Sequence, residues 1–181
     1  GAPGQQQEVA DRLAHPRPQR LIIRFEHHPL RALVDRFLDG DSTNNGTPVA
    51  GVPPAANFHG GDWQGVINKI NEGYFEQLGV NALWLTVPAD NTELSGVGSD
   101  GKNYSGYHGY WPKDLYKTEE HFGTMAKLKE VVDVAHTKGI KVLIDYAANH
   151  VHSSAPVYAQ NGGWFWPNNN NAGGNCVCGE G

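Results

Sequence analysis

The chain has 181 residues, of which 39% are hydrophobic and 18% charged, and its formal net charge is −5. That is about one domain of sequence, apolar enough for a core but short of the roughly 250 residues of a complete (β/α) barrel. An acidic chain argues against nucleic acid as a partner, and no apolar run approaches the ~18 residues of a membrane span.

Residues 1–33 differ in character from the rest of the chain. Gly1 to Arg20 is polar and contains no apolar stretch of the signal-peptide kind. Leu21-Ile22-Ile23 and Leu30 to Phe37 are short apolar runs that read as strands. Residues 38–62 form a loop rich in Gly, Asn, Asp and Pro. Val66, Ile67, Ile70, Tyr74, Phe75 and Leu78 then recur at helical spacing, and Gly79 is placed to end that helix. Val80 to Val87 reads as a buried strand, and Pro88 to Lys117 as a long polar loop. A second helix is marked by Phe122, Met125, Leu128, Val131, Val132 and Ala135 and is stopped by Gly139. Ile140 to Asp145 is the next buried strand. Two helix–Gly–strand units in succession imply parallel strands joined by crossover helices. The predicted fold is therefore α/β, an incomplete TIM-type barrel with about three parallel strands. From Ser153 the chain reads as polar loop, including Asn168 to Asn171. Cys176 and Cys178 are too close in sequence for an easy bridge and too few for a metal site.

Four segments carry chemistry. In an α/β barrel, function gathers at the C-terminal ends of strands. There the third strand delivers Asp145, Asn149 and His150: a carboxylate, an amide and an imidazole that can bind hydroxyls and a cation. The long loop contains Tyr107-His108-Gly109-Tyr110-Trp111, whose aromatic faces suit pyranose rings and equally suit a small aromatic core. Trp164 and Trp166 offer a second aromatic platform. The first loop, Asp39 to Asn45, crowds hard oxygen ligands in the manner of a calcium site. It is not an EF-hand, since the sixth and twelfth positions are Asn44 and Ala50 rather than Gly and Glu. A solvated turn is the competing reading.

Five segments come in one order: Phe58 to Gly65 (FHGGDWQG), Ala82-Leu83-Trp84-Leu85, Tyr107 to Trp111 (YHGYW), His121-Phe122-Gly123-Thr124, and Ile144 to Val151 (IDYAANHV). Together they resemble the α-amylase family of glycoside hydrolases from about Val34 to Gln160. GGDWQGVINKIN is especially similar to the cyclodextrin glucanotransferases.

The resemblance implies a catalytic barrel, seen here in its N-terminal part. Residues 1–33 would be an atypical segment, 34–152 a partial barrel of the first three βα units, and 153–181 the start of an inserted loop domain. Asp39, Asp41, Asn44, Asn45, Asp62 and the Gly60 carbonyl match a calcium site of bacterial members. Asn149 matches a ligand of a calcium between barrel and inserted domain. His108 and His150 match histidines that bond the sugar beside the scissile linkage, and Tyr110 matches the tyrosine beneath it. Tyr107 and Trp111 flank them as substrate-binding candidates. Asp145 matches a carboxylate that supports the active-site floor.

The implied activity is hydrolysis of internal α-1,4 linkages in starch or maltooligosaccharides, with calcium as cofactor. The alternatives are cyclodextrin-forming transglycosylation and a non-catalytic glucan- and calcium-binding fragment. The implied location is secreted or extracellular. Retaining glycosidases need two carboxyl groups about 5 Å apart, and the family's three catalytic carboxylates follow later strands than those seen here. Asp145 is the carboxylate in a recognisable motif; Glu93, Asp100 and Glu180 lie in loops. The open edges of a partial sheet predict self-association as a homodimer.

Overall fold

The computed structural model describes residues 29–165 and the strand at 176–178. Its elements, in chain order, are β1 (Leu30–Ala32), α1 (Trp63–Asn71), α2 (Tyr74–Gln77), β2 (Ala82–Leu85), β3 (Ala89–Asn91), β4 (Gly96–Val97), β5 (Asn103–Tyr104), β6 (Pro112–Thr118), α3 (Met125–Thr137), β7 (Lys141–Ile144), β8 (His150–His152), α4 (Pro156–Gln160) and β9 (Cys176–Cys178). The expectations for Leu21–Ile23, Trp166, Asn168–Asn171 and Glu180 lie outside the described residues, and of Cys176 and Cys178 the backbone alone is described.

The centre is a parallel sheet in the order β1-β2-β7. Leu30 pairs with Leu83, and Leu83 in turn with Val142. The connections are the predicted crossovers, with α1 and α2 between β1 and β2 and α3 between β2 and β7. Among the described residues the sheet is open and does not close into a barrel.

One face of this sheet carries the core. Leu83 and Leu85 of β2 are buried against Val66, Ile67 and Ile70 of α1 and Val131 and Ala135 of α3. These positions recur at three- and four-residue spacing, which puts them on one stripe of each helix. Asp62 caps α1 by accepting the Gly65 N–H, and Thr124 caps α3 by accepting the Lys127 N–H. On the other face, Trp84 remains 38% exposed.

Four local expectations are corrected. The run Leu30 to Phe37 is a strand only to Ala32 and then turns through a 3-10 segment, Val34–Arg36. The buried Asp35 carboxylate bends it by accepting the His59 N–H at 2.9 Å. The helix drawn from Val66 to Leu78 breaks at Gly73, whose φ of 74° is left-handed. That break turns Phe75 into the core, stacked on Phe37 with centroids 5.7 Å apart. The polar stretch 88–117 holds two antiparallel pairs, β3 with β6 and β4 with β5. After Ser153, α4 and a 3-10 turn at Gly162–Trp164 bring Phe165 onto Val151 and Ala155 in a satellite cluster.

Candidate functional site

The C-terminal ends of β1, β2 and β7 open on one side of the sheet, and the chain after β7 supplies Asp145. Its backbone N–H donates to the Leu85 carbonyl at 3.0 Å, which extends the ladder by one residue. The segment between β5 and β6 crosses this mouth. It comes close because residue 109 is glycine: a Cβ there would lie 2.9 Å from the Val87 carbonyl oxygen, and its φ is 85°.

Tyr110, one residue on, donates its hydroxyl to Asp145 Oδ2. The same hydroxyl accepts from Arg31 Nη2 at 2.6 Å, and the Arg31 guanidinium stands 3.9 Å from the Asp145 carboxylate. Burial, then the hydrogen bond to and charge of Asp145, push the Tyr110 phenol above its ordinary pKa, with Arg31 opposing.

His108 Nδ1 accepts the Tyr110 N–H at 3.0 Å. That bond selects the tautomer with hydrogen on Nε2, a donor suited to a hydroxyl oxygen. Burial, helped by the Arg36 guanidinium, lowers the His108 pKa to about 4, so the imidazole is neutral at pH 7. Its ring lies parallel to Tyr110 at 5.9 Å and edge-on to Trp111 at 4.7 Å. His150 donates Nε2–H to the Tyr110 carbonyl at 2.8 Å. That bond fixes the loop.

The fold thus brings His108, Tyr110, Asp145 and His150 together. The other candidates play different parts. Tyr107 has its ring covered by Arg36 at 3.8 Å, and Arg36 is itself held by Asp35 at 3.0 Å and the Asn57 carbonyl at 2.7 Å. Trp111 donates its backbone N–H to Asn91 Oδ1 at 2.7 Å, and its ring packs between His108 and His152. Asn149 lines a neighbouring groove with His150, Leu115, Tyr116 and Trp164. Glu93 and Asp100 are engaged elsewhere, Glu93 with Lys113 at 3.3 Å and Asp100 with the Tyr104 hydroxyl at 3.0 Å. Arg31 gave no signal in the sequence, lying 79 residues from the tyrosine it holds.

A second constellation sits at the start of α1. Asp62 Oδ1 caps the helix at Gly65 N–H, 2.6 Å, and Oδ2 accepts the Asp41 N–H at 2.7 Å. Asn44 Nδ2 reaches Asp62 Oδ2 at 3.5 Å, and Asn45 Nδ2 donates to Asp39 Oδ2 at 2.7 Å. Asn45 also packs on Gly60, where a Cβ would meet its Oδ1 at 2.6 Å. The hydroxyl and N–H of Thr43 hold the Asp41 carboxylate below its usual pKa, so it stays anionic. Asn44 Oδ1 and Asn45 Oδ1 are buried with no hydrogen-bond partner. Unpaired buried acceptors are costly. Acceptors bunched beside carboxylates form a donor set that fits a hard, oxygen-liganded cation.

A third group joins His121, read in the sequence only as a motif residue, to Glu119 and Glu120, which the sequence did not single out. Buried Glu119 accepts the Asn91 N–H at 2.9 Å and meets His121 Nδ1 at 2.6 Å. His121 stacks on Phe58 at 3.9 Å. Burial and neighbouring Glu93 raise the Glu120 pKa to about 7.

Comparison with known proteins gives a consistent result. The family model described as "Alpha amylase, catalytic domain" matches residues 32–164. A cyclomaltodextrin glucanotransferase of Bacillus sp. (strain 6.6.3) is 44% identical over 138 residues, 73% of this chain and 19% of the relative. One from Geobacillus stearothermophilus is 43% identical over 136 residues, 72% of this chain and 19% of the relative. The chain thus spans about a fifth of the length of these curated relatives. Among solved structures, an Anoxybacillus α-amylase superposes with a TM-score of 0.63 at 34% identity, over 79% of this chain and 30% of that one.

Proposed function

This chain belongs to the α-amylase catalytic-domain family, and on that premise we propose that it binds α-1,4-linked glucan in the service of glycosidic-bond hydrolysis. The observation that carries the reading is the His108–Tyr110–Asp145 arrangement at the strand mouth. Tyr110 supplies a ring face for a glucosyl unit, fixed at its hydroxyl end by Asp145. Neutral His108 supplies an Nε2–H for a sugar hydroxyl, and His150 holds the Tyr110 carbonyl so that the loop keeps its place. Asp145 is the supporting carboxylate of this mouth. Retaining hydrolysis requires a further pair of carboxyl groups about 5 Å apart, and the engagements of Glu93 and Asp100 disfavour both for that role.

Calcium belongs to the same proposal. Asp39, Asp41, Asn44, Asn45, Asp62 and the Gly60 carbonyl would hold one ion, and Asn149 would contribute to another. A bound ion supplies positive charge that ties the 39–45 loop to the start of α1. The protein would work outside the cell. Its organisation would be an N-terminal segment to residue 33, the first three βα units to 152, and the start of an inserted domain thereafter.

A second reaction, transfer to cyclic glucans, is favoured by one observation: the relatives matched at 43–44% identity are cyclomaltodextrin glucanotransferases. Incubation with soluble starch separates the possibilities. Hydrolysis releases reducing ends, lost in Asp145→Asn. Transfer yields cyclodextrins with few reducing ends. Maltoheptaose binding with neither product would make the chain a glucan-binding unit, and neither binding nor product would overturn the reading.

A further inference from the structure

We infer that Arg31 is a positioning residue of the glucan-binding mouth, fixing the Tyr110 ring and the Asp145 carboxylate as one unit. This rests on the proposed glucan binding, although the geometry stands without it.

Arg31 and Trp84 are paired across β1 and β2, and Trp84 is paired with Leu143 of β7. Paired residues in a sheet project to the same face, so Arg31 rises beside Trp84. The guanidinium indeed sits over the indole, 5.3 Å from its centroid. From that platform it donates to the Tyr110 hydroxyl at 2.6 Å. The hydroxyl donates its own hydrogen bond to Asp145, and the guanidinium stands 3.9 Å from that carboxylate. The phenol is therefore held from two sides, by a cation that donates and an anion that accepts. Either bond alone leaves the ring free to pivot about the other. A ring that stacks under a sugar must keep its plane, and the two together restrict it. The bonds are charge-assisted, the stronger class of hydrogen bond. Arg31 has 55% of its side chain exposed, so replacing it opens no cavity in the core.

The charged and titratable groups around the phenol are Arg31, Asp145, His108 stacked on its ring and His150 on its carbonyl. Burial and Asp145 raise the phenol's pKa, and Arg31 opposes them. Removing Arg31 therefore raises it further, a change that an arginine not bonded to the phenol would not produce.

The test follows the Tyr110 ring carbon by NMR through an alkaline titration, with Tyr110→Phe assigning the signal, in wild type, Arg31→Gln and Arg31→Lys. Calorimetry with maltoheptaose runs on the same proteins, after thermal melts confirm folding. Arg31→Gln is expected to raise the Tyr110 pKa and to weaken maltoheptaose binding about tenfold, the loss of one charged hydrogen bond. Arg31→Lys keeps the charge and should recover part of both. If Arg31→Gln fails to fold, the comparison of Arg31→Lys with wild type decides. An unmoved or lowered Tyr110 pKa overturns the assignment, as does unchanged affinity. A wild-type chain that ignores maltoheptaose sinks the glucan reading, while the titration still decides whether Arg31 holds the phenol.

Discussion

Asp62 joins two elements with one carboxylate, accepting the Asp41 N–H at 2.7 Å through Oδ2 and the Gly65 N–H at 2.6 Å through Oδ1. The 39–45 loop and the first turn of α1 are thereby a single unit. The unpaired Asn44 and Asn45 oxygens sit in that unit. Calcium should therefore raise the melting temperature by binding the folded state alone. Asp62→Ala should abolish this response and also cost about 1–2 kcal/mol as a lost helix cap. A melting curve indifferent to both calcium and chelator contradicts the site.

The same junction is intolerant of added volume. A Cβ on Gly65 would lie 1.9 Å from the Leu38 carbonyl oxygen, a backbone atom with little room to yield. Gly65→Ala should therefore destabilise the chain by about 1–3 kcal/mol, despite the better helix propensity of alanine. Urea unfolding measures it, and a variant as stable as wild type would show that the Leu38 backbone yields freely.

His108 makes stability depend on acid. Its folded pKa, about 4, lies below the ordinary histidine value of 6.5. Below pH 6.5 the unfolded chain takes up a proton that the folded chain refuses. The contribution is thus complete above 6.5, falls as pH drops, and is lost by about pH 4, to a total of at most about 3 kcal/mol. His152, also lowered by burial, acts in the same direction, whereas His121, raised through Glu119 despite its burial, acts in the opposite one. Comparison with His108→Gln isolates the one group. The melting temperature of the variant should fall less between pH 7 and pH 5 than that of wild type, and parallel profiles would contradict a buried neutral imidazole.

The open sheet predicts self-association. Trp84, Ile144 and Tyr146 are exposed on or beside β2 and β7, and the described sheet ends at β1 and β7. Exposed apolar surface at unpaired edges invites a second copy. Light scattering at micromolar concentration should find a dimer, and a stable mass near 19.7 kDa refutes it.

How legible each element was in the sequence depends on where its stabilising partners lie. The α1 stripe of Val66, Ile67 and Ile70 and the β2 run through Leu85 announce themselves because their partners are periodic neighbours. The break at Gly73 did not, because one glycine inside an apolar period reads as a tolerated defect. The pair β3–β6 was hidden for another reason. Asp90, Asn91, Lys113 and Asp114 have no strand preference, and the pair is supported by a contact between Asn91 and Glu119, 28 residues away. At the mouth, His108, Tyr110 and Asp145 were readable as motif residues. The use of His150 as a clamp on the loop, and of Arg36 as a cover over Tyr107, depends on distances that no spacing encodes.

The central claim is that Tyr110, held at the mouth of the sheet, is a stacking face for α-linked glucose. Calorimetric titration of wild type and Tyr110→Ala with maltoheptaose, alongside a β-linked oligosaccharide of equal length, tests it most directly. The account predicts binding of maltoheptaose in preference to the β-linked chain, weakened at least tenfold in Tyr110→Ala by loss of the ring face. Equal affinity of wild type and Tyr110→Ala for maltoheptaose would contradict it.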